Sequence, residues 1–332
     1  SGFEKEISWM FLTRGHLNSP NKFKELEGLM NFVSKLKTDY KIPFNEEDLL
    51  MLLLSVLRCD DISGGYGILK KEGKRRYLDE LKVRTWLEEN LIPNTVVLRM
   101  DDPEILKLLF FSIEITYSMF LGESRATVMQ KGFRERKRSF EAIVVDQFVG
   151  KLGEIAVKRF LEDHFSVNVE LDWDISPQRE RHMNDIKNAN KLISIKTSPS
   201  LAGIWAEADK GYDYGIMVKC SVPLHPLLQF FIEVCGFRNL LDFAKERLGS
   251  ETFYVDSIRD RIFSNSQCGQ IKTNFVCYVC GYFEVSDENL RKEGEILDYL
   301  GVVREERHLV RIDELKYTRS SWEEFIKLVG IH

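Results

Sequence analysis

An acidic and a basic residue, Asp185 and Lys196, stand on either side of a turn signal. The signal is the run Asn188-Ala189-Asn190-Lys191, whose asparagines favour turns because their side chains bond to nearby backbone. The runs on both sides of it alternate polar and apolar residues, which is typical of two paired strands. The sequence therefore predicts a β-hairpin that carries one carboxylate and one ammonium.

The centre of the turn fixes the predicted register of the hairpin. A turn centred between Ala189 and Asn190 puts Ile186 opposite Ile193 and Asp185 opposite Ser194. Because side chains alternate across a strand, Lys196 then shares a face with Asp185. The other face is apolar and carries the three isoleucines Ile186, Ile193 and Ile195.

A carboxylate beside an ammonium suits metal-dependent hydrolysis of a phosphodiester. Carboxylates hold Mg²⁺, a hard cation that takes oxygen ligands and keeps several waters. Such an ion polarises the phosphoryl oxygen and lowers the pKa of a bound water. A nearby lysine stabilises the negative charge that develops, and it orients or deprotonates the attacking water.

A helix ahead of the hairpin offers a second acidic side chain, Glu154. Two glycines, Gly150 and Gly153, flank it inside the helical pattern. Each glycine costs a helix about 1 kcal/mol relative to alanine, so we expect another element to approach closely there. That approach would bring Glu154 to the edge of the sheet that carries Asp185.

These residues resemble the motif of the PD-(D/E)XK nuclease superfamily, which has the restriction-endonuclease-like fold. The resemblance spans about residues 141–315. It implies that Asp185 binds the metal, that Lys196 is the catalytic lysine and that Glu154 is the helix glutamate of many members. It also implies a strand carbonyl as a metal ligand, here that of Ile195 or Ile193. The implied cofactor is Mg²⁺ or Mn²⁺.

The motif departs from the family at Ser194, where most members carry an acidic residue two positions before the lysine. Serine is a poor metal ligand, so the second carboxylate must come from elsewhere, and Glu154 is the candidate. The expected activity is endonucleolytic cleavage of double-stranded DNA by a homodimer, in restriction or defence against foreign DNA. Two alternatives stay open: a catalytically inactive DNA-binding or scaffold subunit, and a structure-specific repair or recombination nuclease.

Two basic stretches are candidates for phosphate contact, since neutralising backbone charge gives most non-specific affinity for nucleic acid. The first is Lys70, Lys71, Lys74, Arg75 and Arg76. The second is Arg134, Arg136, Lys137 and Arg138. A solvated linker explains the second stretch equally well. Thr197 and Ser198, just after the lysine, are further candidates for bonding a phosphate.

The predicted helices and strands around these residues indicate an α/β protein with a mixed sheet flanked by helices. Residues 1–140 form a mainly helical region, a candidate for DNA recognition, and residues 141–332 form the nuclease-like domain. Apolar spacing of three and four residues predicts the early helices at Phe23–Leu36, Glu46–Leu57, Tyr77–Leu91 and Pro103–Phe120. Later elements are predicted as a helix from Asp146 to Phe165, strands near 214–220, 274–285 and 307–313, helices within 225–262 and a final helix at Trp322–Leu328.

Composition supports a globular protein and limits its setting. The 332 residues carry a net charge of −5, so any nucleic-acid affinity must come from local patches. No apolar run approaches the roughly 20 residues that span a membrane, and no signal sequence is visible, so we expect no membrane partner. The six scattered cysteines favour a reducing, cytoplasmic setting. The pair Cys277 and Cys280 lies in a β-rich run that would send them to opposite faces, which disfavours a zinc site.

Overall fold

The structure is a computed structural model that describes residues 4–6, 20–99, 102–120, 140–175, 184–222, 245–247, 256 and 274–332. It shows a mixed α/β protein in which helices pack against sheets of mixed strand orientation. Within these ranges no helix has the length and apolar character that crossing a bilayer would require. The helices predicted within 225–262 and the basic run from Arg134 to Arg138 lie outside the described residues, except for 245–247 and 256.

The described helices agree with most of the predicted ones. They are α1 (Pro20–Tyr40), α2 (Glu46–Ile62), α3 (Glu80–Trp86, extended by one wider turn at Leu87–Leu91), α4 (Pro103–Phe120), α5 (Phe140–Phe165) and α6 (Arg319–Val329). The prediction of a helix from Tyr77 was wrong at its start, because Tyr77 pairs in a strand and Asp79 caps the helix by accepting from Leu81 and Lys82 N–H.

The strands within the described residues form four sheets. They are β1 (Glu4–Glu6), β2 (Leu69–Glu72), β3 (Arg75–Asp79), β4 (Thr95–Arg99), β5 (Ile193–Ser198), β6 (Trp205–Ala208), β7 (Tyr214–Ser221), β8 (Asn274–Glu284), β9 (Leu290–Arg291), β10 (Ile296–Leu297), β11 (Gly301–Val302) and β12 (Arg307–Arg311). Their orders are β1-β3-β2, β10-β11, β6-β12-β9 and, in the central sheet, β4-β8-β7-β5.

The central sheet is mixed and draws on both halves of the chain. Strand β5, which carries Lys196, runs parallel to β7, whereas β8 runs antiparallel to both β7 and β4. Strand β4 comes from the first 140 residues, so the boundary predicted at residue 140 does not divide this sheet. The N-terminal region therefore contributes to the same layer that holds the candidate site.

Each face of the central sheet covers its own core. On one face, Ile193, Ile195 and Ile216 pack with buried residues of α4, α5 and α6. On the other, Met217 and Tyr278 pack with α1, α2 and strands β6 and β12. This two-sided burial fits the apolar run of β7, in which seven of eight residues are buried. Lys196 therefore projects toward the second core, away from α5.

The Cys277 and Cys280 pair follows the strand prediction rather than a zinc site. Both cysteines lie in β8 and are buried. Cys277 belongs to the core on the α5 side, and Cys280 belongs to the opposite core. Two thiols on opposite faces of one sheet cannot bind the same ion, so the pair contributes to packing.

Candidate functional site

The chain around Asp185 turns back toward β5 without forming the regular hairpin that the sequence predicts. The backbone N–H of Asp185 donates to the Ile193 carbonyl at 3.2 Å, whereas Ile186 pairs with Leu171. The predicted register was therefore wrong. Its cause is Asn184, whose side-chain oxygen accepts from Ile193 N–H at 3.0 Å and so replaces a bond between the two backbones.

The predicted faces of the three isoleucines, of Ser194 and of Lys196 are confirmed despite the shift in register. Ile186, Ile193 and Ile195 all belong to the core on the α5 side. Ser194 and Lys196 alternate with them along β5 and so face the other way. Apolar alternation thus predicts the faces correctly even where it does not give the pairing.

The carboxylate of Asp185 is fixed against the strand that carries Lys196. Its Oδ2 accepts from the Ile195 backbone N–H at 2.7 Å. This bond holds the carboxylate beside the residue that precedes Lys196, and the negative charge of Asp185 is one of those that act on the lysine. The structure therefore brings together the two residues that the sequence singles out first.

Lys196 is half-buried and lies among three carboxylates. Its Nζ donates to Asp209 Oδ2 at 2.7 Å. Burial lowers the pKa of Lys196, but the charges of Asp209, Glu207 and Asp185 outweigh it, and the net pKa lies above its ordinary value. The charged ammonium form of Lys196 is therefore favoured.

Two of these carboxylates, Glu207 and Asp209, were not among the predicted site residues. Glu207 lies in β6 and pairs with Arg307 of β12. Asp209 follows β6 directly, in the turn that leads to β7. A signal was present in the sequence, since an acidic residue at the end of a strand is well placed for chemistry. Only the position of β6 beside β5, however, shows which lysine it meets.

Glu154 contacts a buried lysine of its own helix. Its Oε2 accepts from Lys151 Nζ at 2.5 Å, and the two side chains are 13% and 4% exposed. Lys151 also donates to the Asp172 carbonyl and lies over the ring of Trp173. Breaking such a buried pair costs about 3–5 kcal/mol. Glu154 would have to give up Lys151 in order to bind a metal.

The close approach predicted for the glycines of α5 occurs at one of them. A Cβ on Gly153 would lie 1.8 Å from Thr197 Oγ1, so only glycine lets β5 lie this near the helix. A Cβ on Gly150 would meet nothing within 4 Å. The hydroxyl of Thr197 donates to the Gly150 carbonyl at 3.2 Å, which turns it toward the helix. Thr197 therefore fastens α5 to β5, and the hydroxyl of Ser198 bonds within its own turn to Ser200.

The predicted basic wing is a β-hairpin formed by β2 and β3. Lys70 pairs with Asp79, and Lys71 and Arg76 both pair with Asp61. Lys74 and Arg75 are exposed at the tip. The wing thus presents positive charge at its end, while its base is fastened to acidic residues.

The donor set around Lys196 has the chemistry that Mg²⁺ prefers. Asp185, Glu207 and Asp209 offer hard oxygen ligands, and Mg²⁺ is commonly held by one or two carboxylates together with waters. In the part of the chain that the structure describes, no three His, Cys, Asp or Glu side chains come together closely enough to hold a metal ion. Glu207 and Asp209 are paired with Arg307 and Lys196, whereas the Asp185 carboxylate accepts from a backbone N–H.

Known proteins add no assignment to this geometry. The chain matches no protein-family model, no curated protein and no solved structure.

Proposed function

We propose that this protein is a Mg²⁺-dependent DNA endonuclease whose site is built on Asp185 and Lys196. The observation that carries the proposal is the bond from the Ile195 N–H to the Asp185 carboxylate, at 2.7 Å. It places an acidic side chain beside the lysine of the next residue, on a strand whose other face is fully packed. The resemblance of these residues to the PD-(D/E)XK motif supports the same chemistry.

Each residue has a defined part in the proposed reaction. Asp185 and the Ile195 carbonyl would hold the ion, which supplies charge for the phosphoryl oxygen and a more acidic bound water. Lys196 remains protonated, so it stabilises the negative charge that develops on the phosphate and orients the attacking water. Burial lowers the pKa of Lys196, but the carboxylates of Asp209, Glu207 and Asp185 raise it overall, which favours the orienting role over proton removal.

The basic wing supplies a route for DNA toward this site. Lys71 pairs with Asp61, and Asp61 accepts from the Tyr299 hydroxyl at 2.9 Å. The neighbouring Asp298 carbonyl accepts from the indole of Trp205, the first residue of β6. This series of contacts joins the wing to the strand that ends next to Asp209. We propose that the exposed wing tip contacts DNA phosphates near this site.

Cleavage of both strands of a duplex requires two such sites, so the proposed active form is a homodimer. Restriction or another defence against foreign DNA is the role that we propose on analogy with the family. A repair or recombination enzyme that reads DNA structure would use the same residues. The ends of the cut products distinguish these two roles, because sequence-specific cleavage gives uniform ends.

The proposal is tested by incubating the protein with plasmid and linear DNA in Mg²⁺, in Mn²⁺ and in EDTA. We expect metal-dependent cleavage that falls at least about 100-fold in Asp185→Asn and in Lys196→Met, the size of loss seen when one charge-stabilising group is removed. Glu306→Gln is the matched control, since it breaks the neighbouring exposed pair with Lys210. Cleavage that survives both substitutions would refute the site.

A second candidate function is DNA binding without catalysis. The observation that favours it is Ser194, which is only 2% exposed and stands where the family carries an acidic ligand. This alternative is supported if the protein retards DNA in gel-shift assays but cuts no DNA with any metal ion. Neutralising Lys74 and Arg75 should then weaken binding to all sequences and flatten its salt dependence.

A further inference from the structure

We propose that Asp209 is the positioning residue of this site, holding the ammonium of Lys196 in the orientation that catalysis uses. This inference rests on the proposed function and assigns a residue that the PD-(D/E)XK resemblance does not include. It also identifies which of the carboxylates near Lys196 acts directly on it.

The contact between the two residues is direct and accessible. Lys196 Nζ lies 2.7 Å from Asp209 Oδ2, and the two side chains are 35% and 54% exposed. An ion pair with this exposure contributes little to folding stability. The contact is therefore not needed to hold the fold together, and a role in orienting the lysine accounts for it better.

The fold builds this contact by bringing β6 close over β7. A Cβ on Gly215 in β7 would lie 3.1 Å from the Cβ of Ala208 and 2.5 Å from a ring carbon of Phe283. Glycine at 215 and alanine at 208 thus let the last residue of β6 approach the sheet. Asp209 comes next in the chain and so reaches Lys196 on the neighbouring strand.

The turn after Asp209 leads into β7 and is fixed to the residue just before β5. Gly211 adopts a φ of +92°, which favours glycine, and this lets the chain reverse within a few residues. Asp213 then accepts from the Leu192 N–H at 2.8 Å, just before β5 begins. The start of β5 and the turn that carries Asp209 are therefore fixed to each other.

The neighbouring carboxylate, Glu207, does not serve the same purpose. Its side chain pairs with Arg307. Its charge acts on Lys196 from a distance, whereas Asp209 makes the hydrogen bond. A lysine side chain has four rotatable bonds, and an ammonium that is held in place loses less freedom as the reaction proceeds. Asp209 is thus the side chain that can hold the lysine in place.

The first experiment separates positioning from folding. It measures kcat and KM for DNA cleavage by the variants Asp209→Asn, Asp209→Glu and Glu306→Gln. We expect Asp209→Asn to lower kcat about 10- to 100-fold with KM within about twofold, because misplacing a catalytic group by about 1 Å has that effect. Asp209→Glu keeps the charge and should recover part of the loss. Glu306→Gln should cleave like the wild type. Wild-type kcat in Asp209→Asn would overturn the inference.

The second experiment does not depend on activity. Acylation of surface amines with an N-hydroxysuccinimide ester, followed by peptide mass spectrometry, measures how accessible each lysine is. We expect Asp209→Asn to increase labelling of Lys196 at least threefold, while Glu306→Gln increases labelling of Lys210 and leaves Lys196 unchanged.

The two experiments distinguish failure of the inference from failure of the proposed function. Equal labelling of Lys196 in the wild type and in Asp209→Asn would overturn the inference by showing that the contact does not form. If labelling responds as expected but the wild type cuts no DNA in Mg²⁺ or Mn²⁺, the contact is supported and the nuclease function is refuted.

Discussion

Two lysine–carboxylate pairs flank strand β5, and they differ in burial. On the α5 side, Lys151 and Glu154 are 4% and 13% exposed. On the other side, Lys196 and Asp209 are 35% and 54% exposed. The charges are the same and the distances are similar, at 2.5 Å and 2.7 Å. The surroundings therefore decide what each pair can do.

The buried pair is suited to structure and the exposed pair to chemistry. Lys151 lies over the rings of Phe111 and Trp173 and cannot reach a substrate without unpacking them. A buried charge that loses its partner is expensive, so the pair is locked. Lys196, in contrast, is exposed enough for its ammonium, which has three N–H donors, to contact a phosphate while Asp209 accepts from one of them. Partial exposure is what allows a lysine to act.

The largest expected effect comes from breaking the buried pair. Glu154→Gln leaves the Lys151 ammonium without its opposite charge, and we expect the free energy of unfolding to fall by about 3 kcal/mol. Asp209→Asn, the equivalent change in the exposed pair, should cost less than about 1 kcal/mol. Urea denaturation of both variants at pH 7 measures the difference.

A double-mutant cycle tests whether the loss comes from the pair itself. Replacing both residues, as Lys151→Met with Glu154→Gln, should cost less than the two single changes added together, because no unpaired charge remains. If Glu154→Gln costs as little as Asp209→Asn, the two pairs are energetically alike and Glu154 becomes available as a metal ligand after all.

A third lysine, Lys219, donates to a backbone carbonyl instead of pairing with a carboxylate, and it shows how burial alone affects the pKa. Lys219 in β7 is fully buried and donates to the Leu201 carbonyl at 2.8 Å. Burial lowers its pKa to about 8, although the nearby Cys280 and Cys59 thiols oppose the shift. Without a carboxylate, burial therefore dominates the pKa of a lysine on the same face as Lys196.

This lowered pKa predicts how stability changes with pH. In the unfolded chain a lysine has a pKa of about 10.4, so between about pH 8 and 10.4 the unfolded state binds the proton more tightly. The contribution of Lys219 therefore becomes more favourable as the pH rises. Relative to Lys219→Met, wild-type stability should increase by up to about 3 kcal/mol between pH 7 and 10.5. Urea denaturation of both proteins across this range measures it, and a flat difference would show that Lys219 is not desolvated.

Local pattern was enough to predict most elements and the faces of β5. Helix α4 was predicted at Pro103–Phe120, where it lies, because apolar residues recur at helical spacing along its whole length. Strand β8 and the faces of its two cysteines were also predicted. The start of α3 was predicted too early because Tyr77 lies in strand β3, where it pairs with Lys70 of β2. That pairing does not show in the local sequence pattern.

The candidate site was predicted only in part, since the approach of β6 to β5 and the burial of the Lys151–Glu154 pair depend on packing between separate segments. Alternation gives the face of Lys196, but Asp209 reaches it only because Gly215 lets β6 lie close to the sheet. Glu154 was predicted to complete a metal site, and its pairing with Lys151 depends on aromatic rings from distant segments. The i,i+3 spacing of Lys151 and Glu154 in one helix favours their contact, but spacing along the chain does not show that the pair is buried or that Asp209 reaches Lys196.

The smallest expected effect is on the free energy of unfolding, and it comes from substitutions where α5 packs against β5, between the two lysine–carboxylate pairs. Gly153→Ala gains about 1 kcal/mol of helix propensity but forces a Cβ against Thr197, and overpacking of this kind costs about 1–3 kcal/mol. We expect a net loss of about 1 kcal/mol in the free energy of unfolding. Gly150→Ala is the matched control in the same helix, and with nothing within 4 Å it should gain about 1 kcal/mol.

The two substitutions are expected to change the free energy of unfolding in opposite directions, and this difference reports how closely α5 packs against β5. If Gly153→Ala is destabilising and Thr197→Ala restores part of the loss, α5 is pressed against β5 at that point and cannot move toward Asp185. Glu154 is then held with Lys151, and the proposed chemistry on the open face of β5 rests on Asp185, Lys196 and Asp209. If both glycine substitutions stabilise the protein equally, α5 lies farther from the strand, and Glu154 is free to move toward the metal.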